Sequence, residues 1–327
     1  MEENLFETQQ SPEFMQVAAT VQSIRAELSK VIIGQHKMID LLIAGLFAGG
    51  HILIEGVPGI AKTLTAKLLA KTIAADFSRI QFTPDLMPTD VLGTLVFNQK
   101  TSEFNFKKGP IFSNIVLIDE INRSPAKTQA ALLEVMEEQK VSMDGETHAM
   151  TFPFFVIATQ NPIEQEGTYK LPEAQLDRFI FRIKINYPDL EEEKQILYRF
   201  KEDFNNNQKE TVRAVVTSQQ LKICRDLVEK VTIKTELLDY IATIVIRTRN
   251  HGDLFLGASP RASLNIMKAS KAIAAMQGRN FVTPDDIHFV TYPVLNHRII
   301  LTPDKELEGY DSASVIKSII ESIDVPR

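Results

Sequence analysis

The sequence is poor in cysteine and contains no long apolar run, and both shortages narrow the class of protein. Its 327 residues include one cysteine, Cys224, so an internal disulfide is excluded and a reducing compartment such as the cytoplasm is favoured. The longest apolar stretch, residues 41–54, is interrupted by Gly49 and Gly50 and is shorter than the about 20 residues that cross a bilayer. Residues 1–10 carry three glutamates where a signal peptide needs a basic start. We therefore expect a soluble, cytoplasmic protein without a membrane segment.

An excess of basic residues is also missing. The chain has 36 Lys and Arg against 42 Asp and Glu, a formal net charge of −6. This balance disfavours a protein whose whole surface binds nucleic acid, although a local basic patch is compatible with it. With 44% hydrophobic and 24% charged residues, the composition excludes a disordered tail protein, a collagen and a disulfide scaffold. At about 150 residues per domain, the length predicts roughly two domains.

The first half alternates short β-branched runs with helical patterns, which is typical of a parallel sheet covered by helices. The predicted strands are residues 51–55, 78–82, 114–119 and 154–159. Helices are predicted over residues 61–75, 125–139, 235–249 and 259–278, and Thr283 is predicted to cap a further helix. A junction at residues 187–189 separates the two halves. We predict an α/β domain over residues 1–187 and a smaller helical domain over residues 188–327.

Two hairpin patterns interrupt this alternation. Apolar and polar residues alternate on both sides of residues 98–102, and Asp144-Gly145 between two short runs fits a two-residue type I′ turn. The residues alone do not decide whether these hairpins only decorate the sheet or carry function.

A candidate phosphate-binding loop directly follows the first predicted strand. It consists of Gly56, Val57, Pro58, Gly59, Ile60, Ala61, Lys62 and Thr63. The loop nearly matches the pattern G-x-x-x-x-G-K-[ST], in which backbone N–H groups surround a polyphosphate, the lysine meets the outer phosphates and the hydroxyl binds Mg²⁺. Ala61 replaces the second glycine. This replacement costs nothing if the helix already starts there with helical dihedrals, whereas a positive φ would be costly.

Two carboxylates, Asp119 and Glu120, follow the third predicted strand. In a parallel sheet the carboxyl end of that strand adjoins the phosphate loop. Phosphoryl transfer needs an acid that holds the metal and a group that positions the attacking water. We assign the first role to Asp119 and the second to Glu120, because an acidic pair that follows a phosphate loop is more than a solvated turn. The residues predict a nucleoside triphosphate and Mg²⁺ as ligands, with Thr63 and Asp119 holding the metal, and the nucleotide becomes ATP only through the family resemblance.

Five motifs in order resemble the MoxR family of AAA+ ATPases: GVPGIAKT, IVLIDEINR, FFVIATQNP, LPEAQLDRF and LGASPRA. The resemblance runs from about residue 31 to the carboxyl terminus. It implies a P-loop NTPase domain followed by a helical lid, with Asn161 as the sensor that helps place the attacking water. Arg178 matches the arginine finger that reaches a nucleotide held by the neighbouring subunit, and Arg261 matches the second sensor, which contacts the phosphates.

The resemblance has further implications. Residues 31–35, with Gly34 and Gln35, would border the adenine, and Arg123 is either a further charge sensor or an ordinary helix-start residue. The hairpin regions 82–112 and 141–152 would face the pore of a hexameric ring, where Phe97, Phe104 and Met143 are candidates to grip polypeptide. The family resemblance implies chaperone-like remodelling of a protein client, commonly with a partner that carries a von Willebrand factor A domain. Two alternatives stay open: a ring that remodels DNA, and a nucleotide-gated scaffold with little hydrolysis.

Overall fold

The computed structural model describes residues 11–100, 102–162, 168–169, 171–202 and 211–326. Residues 1–10, whose glutamates disfavour a signal peptide, lie outside the described residues. In chain order the strands are β1 (His51–Glu55), β2 (Phe77–Gln81), β3 (Gly93–Asn98), β4 (Glu103–Lys108), β5 (Ile115–Asp119), β6 (Lys140–Met143), β7 (Glu146–Ala149), β8 (Phe155–Gln160), β9 (Phe179–Lys184), β10 (Leu254–Leu256) and β11 (Ile300–Leu301). The helices are α1 (Pro12–Ser29), α2 (His36–Ala48), α3 (Lys62–Thr72), α4 (Pro88–Leu92), α5 (Ala126–Glu138), α6 (Glu173–Leu176), α7 (Leu190–Glu202), α8 (Ser218–Lys230), α9 (Thr235–Arg249), α10 (Pro260–Met276), α11 (Pro284–Leu295), α12 (Pro303–Leu307) and α13 (Ser312–Glu321).

A five-stranded parallel sheet forms the centre of the first half, with strand order β2-β5-β8-β1-β9. The four predicted strands are confirmed to within one residue at each end. β1 and β5 are buried along their whole length, as expected for a parallel sheet between helices. Because β5, β8 and β1 are neighbours, the segments that follow their carboxyl ends meet at one edge of the sheet.

β9 is the one strand of this sheet that was not predicted from the sequence. Phe179, Ile180, Phe181 and Ile183 are buried in it, whereas Arg182 is partly exposed. It pairs with β1 through a register shift between His51 and Ile52. The apolar run FIFRIK is the sequence signal for this strand, and it begins at the phenylalanine of the Asp-Arg-Phe motif.

The apolar core of this sheet includes side chains of β5 and α5. Val116 and Ile118 belong to the same buried cluster as Leu132 and Met136. Each such side chain contributes about 1.5–3 kcal/mol when it is fully buried. Leu132, Val135 and Met136 are all buried, so α5 is fixed against the sheet by its apolar face.

Both hairpins are present. β3 and β4 pair antiparallel with Phe97 opposite Phe104. β6 and β7 are joined by Asp144 at φ +52° and Gly145 at φ +79°, and positive φ at both positions is what a type I′ turn requires. The Phe106 ring of the first hairpin stacks on His148 of the second at 4.6 Å. The two hairpins are therefore packed against each other.

The second half is mainly helical, as predicted. α10 packs on α9 and α11, and α13 packs on α9 and α11 as well. The predicted start of α11 is confirmed, because Thr283 and Asp286 form a reciprocal capping box. The small antiparallel pair β10–β11 was not predicted. Among the described helices, none combines the length and apolarity that a membrane span needs.

The chain divides into two compact units. One consists of Ile24–Leu42 and Gly49–Leu221, and the other of Met1–Ser23, Ile43–Ala48 and Lys222–Arg327. Residues after the predicted junction belong to the sheet-containing unit, where the N–H groups of Val215 and Val216 donate to the carbonyl of Thr72 at 2.8 and 3.1 Å. The division at residue 188 stays a prediction.

Candidate functional site

Residues 56–61 connect β1 to α3 in a tight loop. Gly59 has φ +87° and nothing lies within 4 Å of the position that a β-carbon would take. Gly56 has no such room, because a β-carbon there would lie 2.6 Å from Cδ1 of Ile60. The side-chain amide of Gln35 donates to the carbonyl of Ile60 at 3.0 Å. The segment of residues 31–35 is thereby tied to the phosphate loop.

Ala61 adopts the left-handed conformation, with φ 60° and ψ 19°, and α3 starts one residue later. The possibility that Ala61 is the first residue of a right-handed helix is therefore wrong. Left-handed residues in such a loop turn neighbouring N–H groups toward one concave face, which suits an anion. The loop thus has the conformation of a phosphate cradle with alanine in a position that favours glycine, at a cost of roughly 1–2 kcal/mol.

We expect Ala61→Gly to stabilise the nucleotide-free protein by about 0.5–1 kcal/mol, because the relief of strain exceeds the extra backbone entropy that glycine loses. Urea unfolding of the sheet-containing unit measures this. Ala74, which also has a positive φ of 49°, should behave in the same way when changed to glycine. Ala130→Gly in α5 should instead destabilise by about 1 kcal/mol. A destabilised Ala61→Gly variant would contradict the assigned strain.

Lys62 is the cation of the loop. Its ammonium donates to the carbonyl of Gly56 at 2.5 Å. Burial lowers the pKa of Lys62 below its ordinary value, an effect that the carboxylates of Asp119 and Glu120 oppose. A half-buried cation in this loop fits a polyphosphate, whose negative charge would offset the desolvation and raise the pKa of Lys62 again.

Asp119 and Glu120 lie beside this loop at the end of β5. Oδ2 of Asp119 lies 3.4 Å from the hydroxyl of Thr63. Its Oδ1 accepts a hydrogen bond from Thr159 at 3.1 Å, and the Thr159 hydroxyl in turn accepts from the N–H of Glu120 at 3.1 Å. Glu120 itself adopts φ 56° and ψ 53°. Hydroxyl and carboxylate oxygens are the ligands that Mg²⁺ prefers, so Thr63 and Asp119 fit a magnesium site.

Further side chains contact the two carboxylates. Arg79 Nε lies 2.6 Å from Asp119 Oδ2, and the side-chain amide of Gln81 donates to Glu120 Oε2 at 2.8 Å. Arg123 Nε lies 3.0 Å from the same Glu120 oxygen. Arg79 and Gln81 were missed in the sequence. Polar residues at alternate positions of a predicted strand were the available signal, and the β2–β5 register, with Gln81 opposite Asp119, explains their location.

Known proteins match this chain over most of its length. Residues 51–181 match the model of the ATPase family associated with various cellular activities (AAA), and residues 246–319 match the AAA lid domain. The YeaC protein of Bacillus subtilis is 44% identical over 91% of this chain and 92% of its own length. The chaperone MoxR1 of Mycobacterium tuberculosis is 41% identical over 92% of this chain and 81% of its own. The chain belongs to the MoxR family of AAA+ ATPases.

A solved structure agrees with this family assignment. A crystal structure from Cytophaga hutchinsonii superposes with a TM-score of 0.89 at 43% identity and covers 96% of this chain and 97% of its own. The predicted fold, a parallel-sheet AAA+ domain followed by a helical lid, is confirmed. Membership of the MoxR family implies nucleotide binding and ATP hydrolysis.

The remaining predicted site residues of this MoxR-family chain occupy separate places. Asn161 directly follows β8, whose neighbours in the sheet are β5 and β1. Arg178 precedes β9, and its guanidinium lies 3.1 Å from the carboxylate of Glu137 on α5. Arg261 lies in the first turn of α10, in the other compact unit. The individual roles of these residues stay predictions.

Proposed function

We propose that this MoxR-type protein is an Mg²⁺-dependent ATPase that assembles into a hexameric ring and uses hydrolysis to remodel or activate a protein client. The observation that carries the proposal is the convergence of Lys62 and Thr63 from one segment with Asp119 and Glu120 from another. These are the parts that phosphoryl transfer from a metal-bound nucleotide requires.

Each residue has a distinct task in the proposed reaction. The N–H groups of the loop and the Lys62 ammonium would hold the phosphates. Thr63 and Asp119 would hold Mg²⁺, which neutralises negative charge on the phosphates when it is bound. Glu120 would orient and deprotonate the attacking water, with Asn161 as a second group for that water.

The ring is supported by family membership and by the position of Arg178. A guanidinium that is positioned next to the transferred phosphoryl group stabilises the charge that develops there. Arg178 and Glu137 are both partly exposed, with 31% and 40% of their side-chain surface accessible. The Arg178 guanidinium could therefore reach a second subunit once its ion pair with Glu137 opens. Arg261 would contribute a second cation from the lid.

The proposed client is supported by the similarity to the chaperone MoxR1 and by the first hairpin. Phe97 and Phe104 are 48% and 64% exposed, and their ring centroids lie 5.1 Å apart. An exposed aromatic pair is suited to contact apolar side chains of a polypeptide. A partner with a von Willebrand factor A domain and a location in the cytoplasm remain parts of the proposal.

The proposal predicts that ATPase activity per subunit falls on dilution. The finger of one subunit acts on the nucleotide of another, so dissociation of the ring separates the two while each nucleotide site stays intact. Phosphate release with Mg²⁺ and ATP, measured over a wide range of protein concentration beside the sedimentation coefficient, tests this. Activity that is independent of concentration through dissociation would contradict the ring, and no phosphate release at any concentration would contradict the ATPase.

A further inference from the structure

Two side chains of β2 link the two carboxylates of the site. Arg79 and Gln81 are two residues apart on the strand and therefore lie on the same face of the sheet. Arg79 contacts Asp119 at 2.6 Å, Gln81 contacts Glu120 at 2.8 Å, and an Nη2 of Arg79 lies 3.4 Å from Oε1 of Gln81. The result is a continuous bridge from Asp119 through Arg79 and Gln81 to Glu120.

The Asp119 oxygen that Arg79 contacts is the one that faces Thr63. Oδ1 is engaged by the Thr159 hydroxyl, whereas Oδ2 lies 3.4 Å from the Thr63 hydroxyl and 2.6 Å from Arg79 Nε. Only 9% of the Asp119 side-chain surface is accessible. A guanidinium already at this oxygen and a divalent cation between Thr63 and Asp119 would repel each other, because both charges would lie against the same buried carboxylate oxygen.

The Arg79 side chain is able to leave this position. Its accessible fraction is 53%, against 23% for Arg182, which pairs with buried Glu55 on the same sheet. A guanidinium that is half in water loses little hydration when it swings away and is replaced at the carboxylate by another cation. The Arg182–Glu55 pair has less of this freedom, because both of its side chains are mostly buried.

We propose that Arg79 gates metal binding: it occupies Asp119 in the nucleotide-free protein and must release Oδ2 before Mg²⁺ binds there. The metal is then accepted together with the nucleotide, whose phosphates add the negative charge that compensates the second cation. Release of Arg79 also breaks its contact with Gln81, which together with Arg123 contacts Glu120. Arg79 is thus a positioning residue, and the inference rests on the proposed function because it takes Asp119 as a metal ligand.

The test is a titration of the nucleotide-free full-length protein with Mn²⁺, followed by electron paramagnetic resonance. We expect Arg79→Gln to bind Mn²⁺ roughly tenfold more tightly than wild type, since it removes the charge-assisted contact that a half-exposed arginine makes with the Asp119 carboxylate. Arg79→Lys keeps the charge without the planar fork and should lie between the two. Arg25→Gln is the matched control, because Arg25 forms a 2.7 Å ion pair with Asp40 away from β2, and it should leave Mn²⁺ affinity unchanged.

A second readout is how strongly the affinity for fluorescent ADP depends on Mg²⁺. This dependence should be weaker in Arg79→Gln than in wild type. An Arg79→Gln variant that is folded by circular dichroism and binds Mn²⁺ no better than wild type overturns the gate. Neither measurement needs turnover, so the outcome is separable from the proposed function. If wild type releases phosphate and Arg79→Gln binds Mn²⁺ no more tightly than wild type, the gate alone is refuted. If Arg79→Gln binds Mn²⁺ more tightly but wild type never hydrolyses ATP, the ATPase alone is refuted.

Discussion

Glu120→Gln is expected to lower ATP turnover by about two to three orders of magnitude, within the range that a positioned general base contributes, and to leave nucleotide affinity near that of wild type. Glutamine keeps the size of the side chain and can still accept a hydrogen bond from Gln81, so the loop and Asp119 stay in place. The lost negative charge removes the base that would take a proton from water. Binding and chemistry should therefore separate at this one residue.

Phosphate release and fluorescent ADP binding, measured on the same preparation, test this separation. Lys62→Ala is the comparison variant and should lose both activities, because it removes the cation that meets the phosphates. Glu134→Gln, an exposed change on α5, should lose neither. Wild-type turnover in Glu120→Gln would refute the assigned role, and equal loss of binding in Glu120→Gln and Lys62→Ala would make Glu120 a structural residue. The Glu120→Gln protein, held with ATP, is also the variant with which to capture the client.

The parts of the site that could be predicted are those set by neighbouring residues in the chain. A strand, a glycine-containing loop and Lys62-Thr63 at the start of a helix specify the cradle locally, and their order is enough to locate it. The position of Asp119 follows from one additional rule, that parallel strands end at the same edge of a sheet. The turn at Asp144-Gly145 was equally local, since both residues tolerate positive φ.

The parts that could not be predicted depend on registers between distant segments. Arg79 meets Asp119 only because β2 pairs with β5 in the particular register that sets Gln81 opposite Asp119, and a strand pattern contains no information on that offset. The stack of Phe106 on His148 joins two hairpins that are distant in the chain, and it was unpredictable for the same reason. The left-handed conformation of Ala61 could not be predicted for a different reason. Alanine favours a right-handed helix, and the loop overrides that preference.

Arg178→Ala is expected to lower turnover by about three orders of magnitude, the lower end of what an arginine finger supplies, with nucleotide affinity retained. The physical reason is that the variant keeps its own loop, metal ligands and base but no longer neutralises charge on the phosphoryl group of a neighbouring subunit. Phosphate release and fluorescent ADP binding measure the two properties. Glu137→Gln removes the carboxylate that lies 3.1 Å from Arg178 and should change turnover by less than tenfold, since it only positions the finger.

Mixing inactive variants decides whether Arg178 acts between subunits. Lys62→Ala subunits lack a working nucleotide site but carry an intact Arg178, and Arg178→Ala subunits have the opposite defect. In a head-to-tail ring with random mixing, an intact finger faces an intact site at about a quarter of the interfaces. An equal mixture should therefore recover a substantial fraction of wild-type turnover. A mixture no more active than its two components would show that Arg178 serves its own subunit or only the fold, because a finger in trans must be complemented by a neighbour.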